Sequence, residues 1–184
     1  MSRDDWIAAA FDAIADGGLG AVAVEPLAVR LGVTKGSFYA HFASRDELIE
    51  ATLDSWERSH AGPGLARFRE IEDPTARLRA VLHAAVTFSQ SGAPSVHMSL
   101  LGELRDPRVR DAVARVTAGR LELLAATYRQ LGLAPGRASD RARITYATYL
   151  GLLQMAREAP ERLLSDREIR QFMNELTAAL IPPH

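Results

Sequence analysis

Residues 32–42 read GVTKGSFYAHF, and they hold the chain's one lysine, Lys35, against 21 arginines. Gly32 and Val33 form a two-residue joint. Before it, EPLAVRLG at 25–32 has the spacing of a two-turn helix, with Leu27, Ala28 and Leu31 inward and Gly32 as its stop. After it, Thr34 is placed to cap a second short helix, KGSFYAHF, whose Phe38 and Phe42 sit four apart on one face. Helix, tight turn, short helix is the helix-turn-helix unit, in which the second helix enters the DNA major groove.

Outward from this corner the pattern stays helical. Ile7, Ala10, Phe11 and Ile14 predict a first helix, capped by Ser2 with Asp5 behind it and stopped by Gly17-Gly18. Ser44 and Glu47 predict a capping box for a fourth helix with a stripe of Ile49, Leu53 and Trp56. HAGPG at 60–64 breaks that helix and marks a domain boundary. Asp73-Pro74 and Asp106-Pro107 read as N-cap and N1 proline of two further helices. The first carries Leu78, Val81, Leu82, Ala85 and Val86. The second, after a short piece around 96–104, carries Val109, Val113, Val116, Leu123, Leu124 and Leu131 up to Gly132. Then comes ITYATYLGLLQMA, 144–156, without one charged residue. A helix apolar all round is buried on every side or gives one side to a partner. Ser165 and Glu168 predict a capping box for the last helix, striped by Ile169, Phe172, Met173, Leu176 and Leu180. No strand alternation competes, so the expected fold is all-α.

Composition narrows the function. The 184 residues are 47% hydrophobic, enough for a real core, and include no cysteine, which excludes disulfides, thiolate zinc sites and thiol catalysis. MSRDDWIAAAF puts acids where a secretory signal needs bases, and no apolar run reaches bilayer length, so a soluble cytoplasmic protein is expected. Net charge is −1 overall and −5 over residues 1–59, an unpromising total for a DNA binder. Yet no acid occurs from Pro26 to Arg45, where Arg30, Lys35 and Arg45 stand. Screening keeps each charge local to roughly 8–10 Å, so that window counts for more than the sum.

The residue types in the window suit a groove reader. Thr34 and Ser37 are short hydroxyls at a helix start, where backbone amides already favour phosphate. Gly36 lets a backbone or a thymine methyl come close. Lys35 is a mobile point charge, Tyr39 and His41 can donate to phosphate oxygens, and Arg45 extends the clamp.

GVTKGSFYAHFASRDELI, 32–49, resembles the DNA-binding signature of the TetR (tetracycline-repressor-like) family of bacterial transcriptional regulators. The resemblance implies a helix-turn-helix domain over 1–47, with the motif at about 24–43, and a helical ligand-binding and dimerisation domain over 48–184. On the motif's positions, Thr34, Lys35, Gly36, Ser37, Tyr39, Ala40, His41 and Arg45 become DNA-contact candidates. Two departures stand out. Val22-Ala23 replaces the usual Ser/Thr cap before the second helix, and Arg45 stands where lysine is usual, keeping charge but changing geometry.

The resemblance also implies a homodimer on a palindromic operator, with a small-molecule effector bound in the later helices and no cofactor. For the dimer interface the last two long helices offer Tyr146, Leu150, Leu153, Phe172, Met173 and Leu176. For the effector, expected to be hydrophobic or aromatic, the candidates are Trp56, His83, Thr87, Phe88, His97, Met98, Tyr128 and Tyr149. Each of these aromatics has a plainer use as core packing. The expected function is a ligand-responsive regulator, acting as a repressor. One rival is a helical protein-interaction module that has lost DNA binding, which the −5 half favours. Another is a small helical enzyme, for which no GxSxG, HExxH or glycine-rich phosphate loop speaks. Salt-dependent DNA binding separates the first rival, and turnover of a bound ligand the second.

Overall fold

The structure, a computed structural model, describes residues 1–182, the side chain of Pro63 apart; residues 183 and 184, the end of the second expected domain, lie outside them. Among the described residues there are α-helices and short 3-10 turns and no strands, as the sequence pattern predicts. The chain divides into two compact units. The first holds residues 1–61 and 94–116, the second 62–93 and the chain from 117 onward.

The first unit opens with α1, Arg3–Gly17. Its cap is reciprocal: the Asp5 amide donates to the Ser2 hydroxyl at 3.2 Å, and the Ser2 amide to the Asp5 carboxylate at 2.6 Å. Those bonds, the Ser2 amide first, hold the Asp5 carboxyl below its ordinary range. A 3-10 turn at Leu19–Ala21 leads to α2, Val24–Arg30, then α3, Lys35–Tyr39, and α4, Arg45–His60. After residue 93 the unit is completed by α7, Val96–Leu101, and residues 107–116 of α8, Pro107–Gln130. Trp6, Ile14, Phe38, Phe42, Leu48, Ile49, Trp56, Leu100 and Val109 fill its core. Each such side chain contributes about 1.5–3 kcal/mol on burial. A helix as short as α3 is not stable by itself. Phe38 anchors it, edge-on to Trp6 at 5.2 Å and stacked on Phe42 at 5.6 Å.

The second unit contains α5, Ala66–Arg69, which the sequence pattern does not announce, and α6, Pro74–Ser89, capped by Asp73 on the amides of Thr75 and Ala76. It also holds residues 117–130 of α8, α9, Pro135–Glu158, and α10, Asp166–Leu180, with the expected Ser165/Glu168 box. Leu78, Leu82, Val86, Leu124, Tyr128, Ala142, Leu152, Leu176 and Leu180 form its core. Tyr128 ties three helices together, its hydroxyl bonding Thr145 Oγ1 at 2.7 Å and the Leu180 carbonyl at 3.0 Å.

Local differences from the expected pattern have physical reasons. Thr34 occupies the N-cap of α3, but its hydroxyl makes no cap bond. At α4 the Ser44 hydroxyl accepts from the Glu47 amide as expected, while the Glu47 carboxylate reaches back one residue further, to the Ala43 amide at 2.7 Å. That bond is the main reason its carboxyl sits below the usual range. α3 ends at Tyr39 rather than continuing through Phe42. The charge-free stretch of α9 is two-sided: Thr145, Tyr146, Leu152 and Leu153 are buried, whereas Ile144 is 51% and Met155 66% exposed.

Candidate nucleic-acid interface

The helix-turn-helix is built by its backbone. Gly32 takes φ +67, a left-handed conformation that closes α2, and its amide bonds the Val29 carbonyl at 3.1 Å. The Val33 amide reaches the Ala28 carbonyl at 2.9 Å, and the Val33 side chain packs against the core. With Phe38 buried, the rest of α3 faces outward. Thr34, Lys35, Gly36 and Ala40 are exposed, and Tyr39 is 57% exposed. Ser37 and His41 are half-buried. A Cβ added at Gly36 would meet only Thr34 Oγ1, at 3.7 Å, so the space above that glycine is open to a ligand.

The basic window is acid-free in sequence but not in space. Lys35 Nζ pairs with the Glu25 carboxylate from α2. The hydrogen bond between them, more than bare attraction, raises the lysine pKa and lowers that of the glutamate. Arg30 pairs with Asp12 at 2.7 Å, and Arg3 with Glu47 at 3.3 Å while lying 4.5 Å over the Phe42 ring. Arg45 is different. Its Nε and Nη2 donate at 2.5 Å to the carbonyls of Val22 and Leu19, neutral acceptors that leave its charge uncompensated. Arg45 therefore pins the 3-10 turn to the start of α4.

Sequence reasoning missed two members of this surface. Val29, 80% exposed, lies off the Leu27–Ala28–Leu31 face of α2 and could have been found by asking which apolar residue the stripe leaves out. Glu25 lies ten positions from Lys35, a separation that no helical spacing rule flags.

The effector candidates fall into separate groups. In the first unit, Trp56 and His97 are buried with rings 5.6 Å apart, and Met98 is half-buried beside them in sequence. In the second, His83 and Thr87 bond one another at 3.4 Å on the exposed side of α6, next to exposed Phe88, so they do not enter their own unit's core. Tyr128 is core and Tyr149 half-buried. Among the interface candidates, Tyr146 and Leu176 belong to the core of the second unit, Leu153 is buried, and Leu150, Phe172 and Met173 are half-buried. The exposed apolar side of α9 is made by Ile144, Ala147, Gly151 and Met155 instead. Among the described residues no group of His, Asp or Glu is arranged to hold a metal, and no helix is long and apolar enough to cross a membrane.

An exposed short helix, seated by a buried aromatic and presented by a glycine turn, has the geometry of a helix-turn-helix. Residues 7–52 match the family described as bacterial regulatory proteins, tetR family. Over those residues the chain is similar to the family's DNA-binding segment, and along its length it shares the fold of solved tetR-family regulators. A tetR-family regulator from Agrobacterium tumefaciens superposes with TM-score 0.77 at 22% identity, over 97% of this chain and 96% of that one. The reduced form of E. coli NemR does so with TM-score 0.75 at 20% identity, over 98% of each chain. AibR in complex with isovaleryl coenzyme A and operator DNA gives TM-score 0.69 at 19% identity, over 99% of each. A comparison with curated protein sequences finds no match.

Proposed function

We propose that the chain is a cytoplasmic, homodimeric repressor that binds a palindromic operator and is released by a small-molecule effector. The observation that carries the reading is α3 itself: Lys35, Gly36, Tyr39 and Ala40 exposed together on a helix whose only buried side chain is Phe38. Thr34, Lys35, Ser37, Tyr39 and His41 supply phosphate and base-edge donors, Gly36 and Ala40 give the close approach, and Val29 adds an apolar contact for a thymine methyl or sugar. Arg45 serves first as a positioning residue, because two of its donors already hold carbonyls of the chain.

A palindrome needs two copies of α3, about 34–36 Å apart. The exposed stripe Ile144, Ala147, Gly151 and Met155 supports pairing through α9, since small residues let two helices approach and the stripe carries no charge to desolvate. Release is a population shift: an effector preferring a state with the wrong α3 spacing lowers operator affinity, and one without preference changes nothing. That AibR was captured with an acyl coenzyme A and with operator DNA supports an acyl or similarly apolar effector for this fold. No step in this scheme makes or breaks a covalent bond, so the chain acts as a binding protein and not as an enzyme.

The test is equilibrium binding to a mixed-sequence duplex across a salt series. The reading expects log affinity to fall linearly with log salt, as counterions leave the phosphates. A chain that binds no duplex at low salt, or binds it without salt dependence, is not a DNA-binding regulator.

A further inference from the structure

The second unit buries a guanidinium nitrogen to which it gives no acceptor. Arg120, on the 117–130 part of α8, has its Nη1 buried without a hydrogen-bond partner among the described residues. Its Cζ stands 5.2 Å from the centre of the Tyr149 ring. Burial raises the pKa of that tyrosine, and the positive charge and hydrogen bond of Arg120 work against the rise. The Tyr149 and Tyr146 rings lie 6.2 Å apart, and the Tyr146 hydroxyl bonds Thr117 Oγ1 at 3.1 Å. Thr117 and Arg120 are three apart on α8, as are Tyr146 and Tyr149 on α9, so each pair shares a helix face. Two helices thus bring one cation, two aromatic rings and three hydroxyls to one place.

Among the described residues no carboxylate pairs with Arg120. Glu122, the acid nearest in sequence, pairs with Arg129 at 2.9 Å. Arg77 shows how the same unit treats a buried guanidinium with a structural job: it bonds the carbonyls of Ile71 and Glu72 and the side chain of Gln130. A buried guanidinium nitrogen without an acceptor is a cost that folded proteins rarely leave standing. We infer that Arg120 is the anchor for an oxyanion, the carboxylate or phosphate of a ligand whose apolar body lies against Tyr146 and Tyr149. Guanidinium is the side chain best matched to either oxyanion, and the hydroxyls can share the remaining oxygen lone pairs. This site rests on the effector reading above and gives that effector its charge.

The test is calorimetric titration of the purified full chain, without DNA. The probes are straight-chain carboxylates from butanoate to dodecanoate and the alkyl phosphates of the same lengths, each set against the neutral primary amide. Wild type should prefer at least one oxyanion series by about tenfold or more over its neutral counterparts, and the better series identifies carboxylate or phosphate. Arg120→Met should abolish the preference, and Arg120→Lys should keep part of it. Because Arg120→Met removes a buried nitrogen without an acceptor, its ligand-free melting temperature should equal or exceed that of wild type. A preference for no oxyanion, a preference that survives Arg120→Met, or a marked fall in melting temperature would overturn the site. If Arg120→Met does not fold, the site is already contradicted by that result, and an unaltered preference in Arg120→Lys would contradict it again. Release from DNA is measured separately with the same probes. Oxyanion binding without release keeps the site and removes the effector reading; release by neutral molecules alone does the reverse.

Discussion

Replacing Lys35 by alanine deletes an exposed charge whose ion-pair partner, Glu25, is exposed too, so Lys35→Ala should leave the melting temperature unchanged. In the salt series it should weaken duplex binding and flatten the log–log slope by about one unit, the signature of one lost phosphate contact. An unaltered slope would remove Lys35 from the interface. Glu25 competes with phosphate for that lysine, so Glu25→Gln should tighten binding at low salt by a few-fold, roughly the worth of an exposed pair. The same two groups give no usable pH switch near neutrality, because the glutamate is held below its ordinary range and the lysine above its own. Arg45 carries the same charge as Lys35 and behaves differently. Arg45→Ala should cost about 1–2 kcal/mol of stability by freeing the Leu19 and Val22 carbonyls, read as a lower denaturant midpoint. The sequence shows Arg45 as a charge near the motif. That it closes on two carbonyls 23 and 26 positions earlier is a tertiary fact, invisible to local spacing.

α3 tests the fold at the scale of elements. Its five residues hold because Phe38 is buried between Trp6 and Phe42, so Phe38→Ala should cost about 3–5 kcal/mol and abolish duplex binding together with structure. The turn depends on backbone, not space. A Cβ at Gly32 meets nothing within 4 Å, so Gly32→Ala should cost only the left-handed conformation, about 1 kcal/mol, and Gly32→Asn less. Denaturant midpoints of the three variants check the order. Most elements were legible in the chain because their signals are local: Ser2, Ser165 and Asp73 cap helices as expected, and the apolar stripes turn inward. The misses are equally local in form and tertiary in cause. α5 has too few residues for a period to show, and Glu47 chooses the Ala43 amide because the chain entering α4 offers it.

For the whole molecule, ITYATYLGLLQMA announces a helix with two apolar sides, and the structure says which side is which. Tyr146 and Leu176, attractive as interface residues on size, are needed by their own core, Leu153 is buried too, and the side left over is Ile144, Ala147, Gly151 and Met155. Periodicity could place the two sides but not assign them, since both lack charge. Met155→Glu should leave the chain folded and weaken dimerisation by about 2 kcal/mol or more, roughly thirtyfold, measured by sedimentation equilibrium. An unchanged monomer–dimer equilibrium would move the interface elsewhere. The effector candidates were the least legible part. Aromatic and histidine residues in helices serve a core as readily as a ligand, and Arg120 carries no mark in sequence that distinguishes it from the other arginines.

Whether α3 reads DNA sequence as one of a pair is decided by selecting duplexes from a random pool on the purified chain. A paired α3 should enrich a palindrome whose half-sites are about one helical turn apart, centre to centre, or a multiple of it, blurred when Lys35→Ala is used instead. Enrichment of a single unpaired half-site, or of no sequence at low salt, would contradict it.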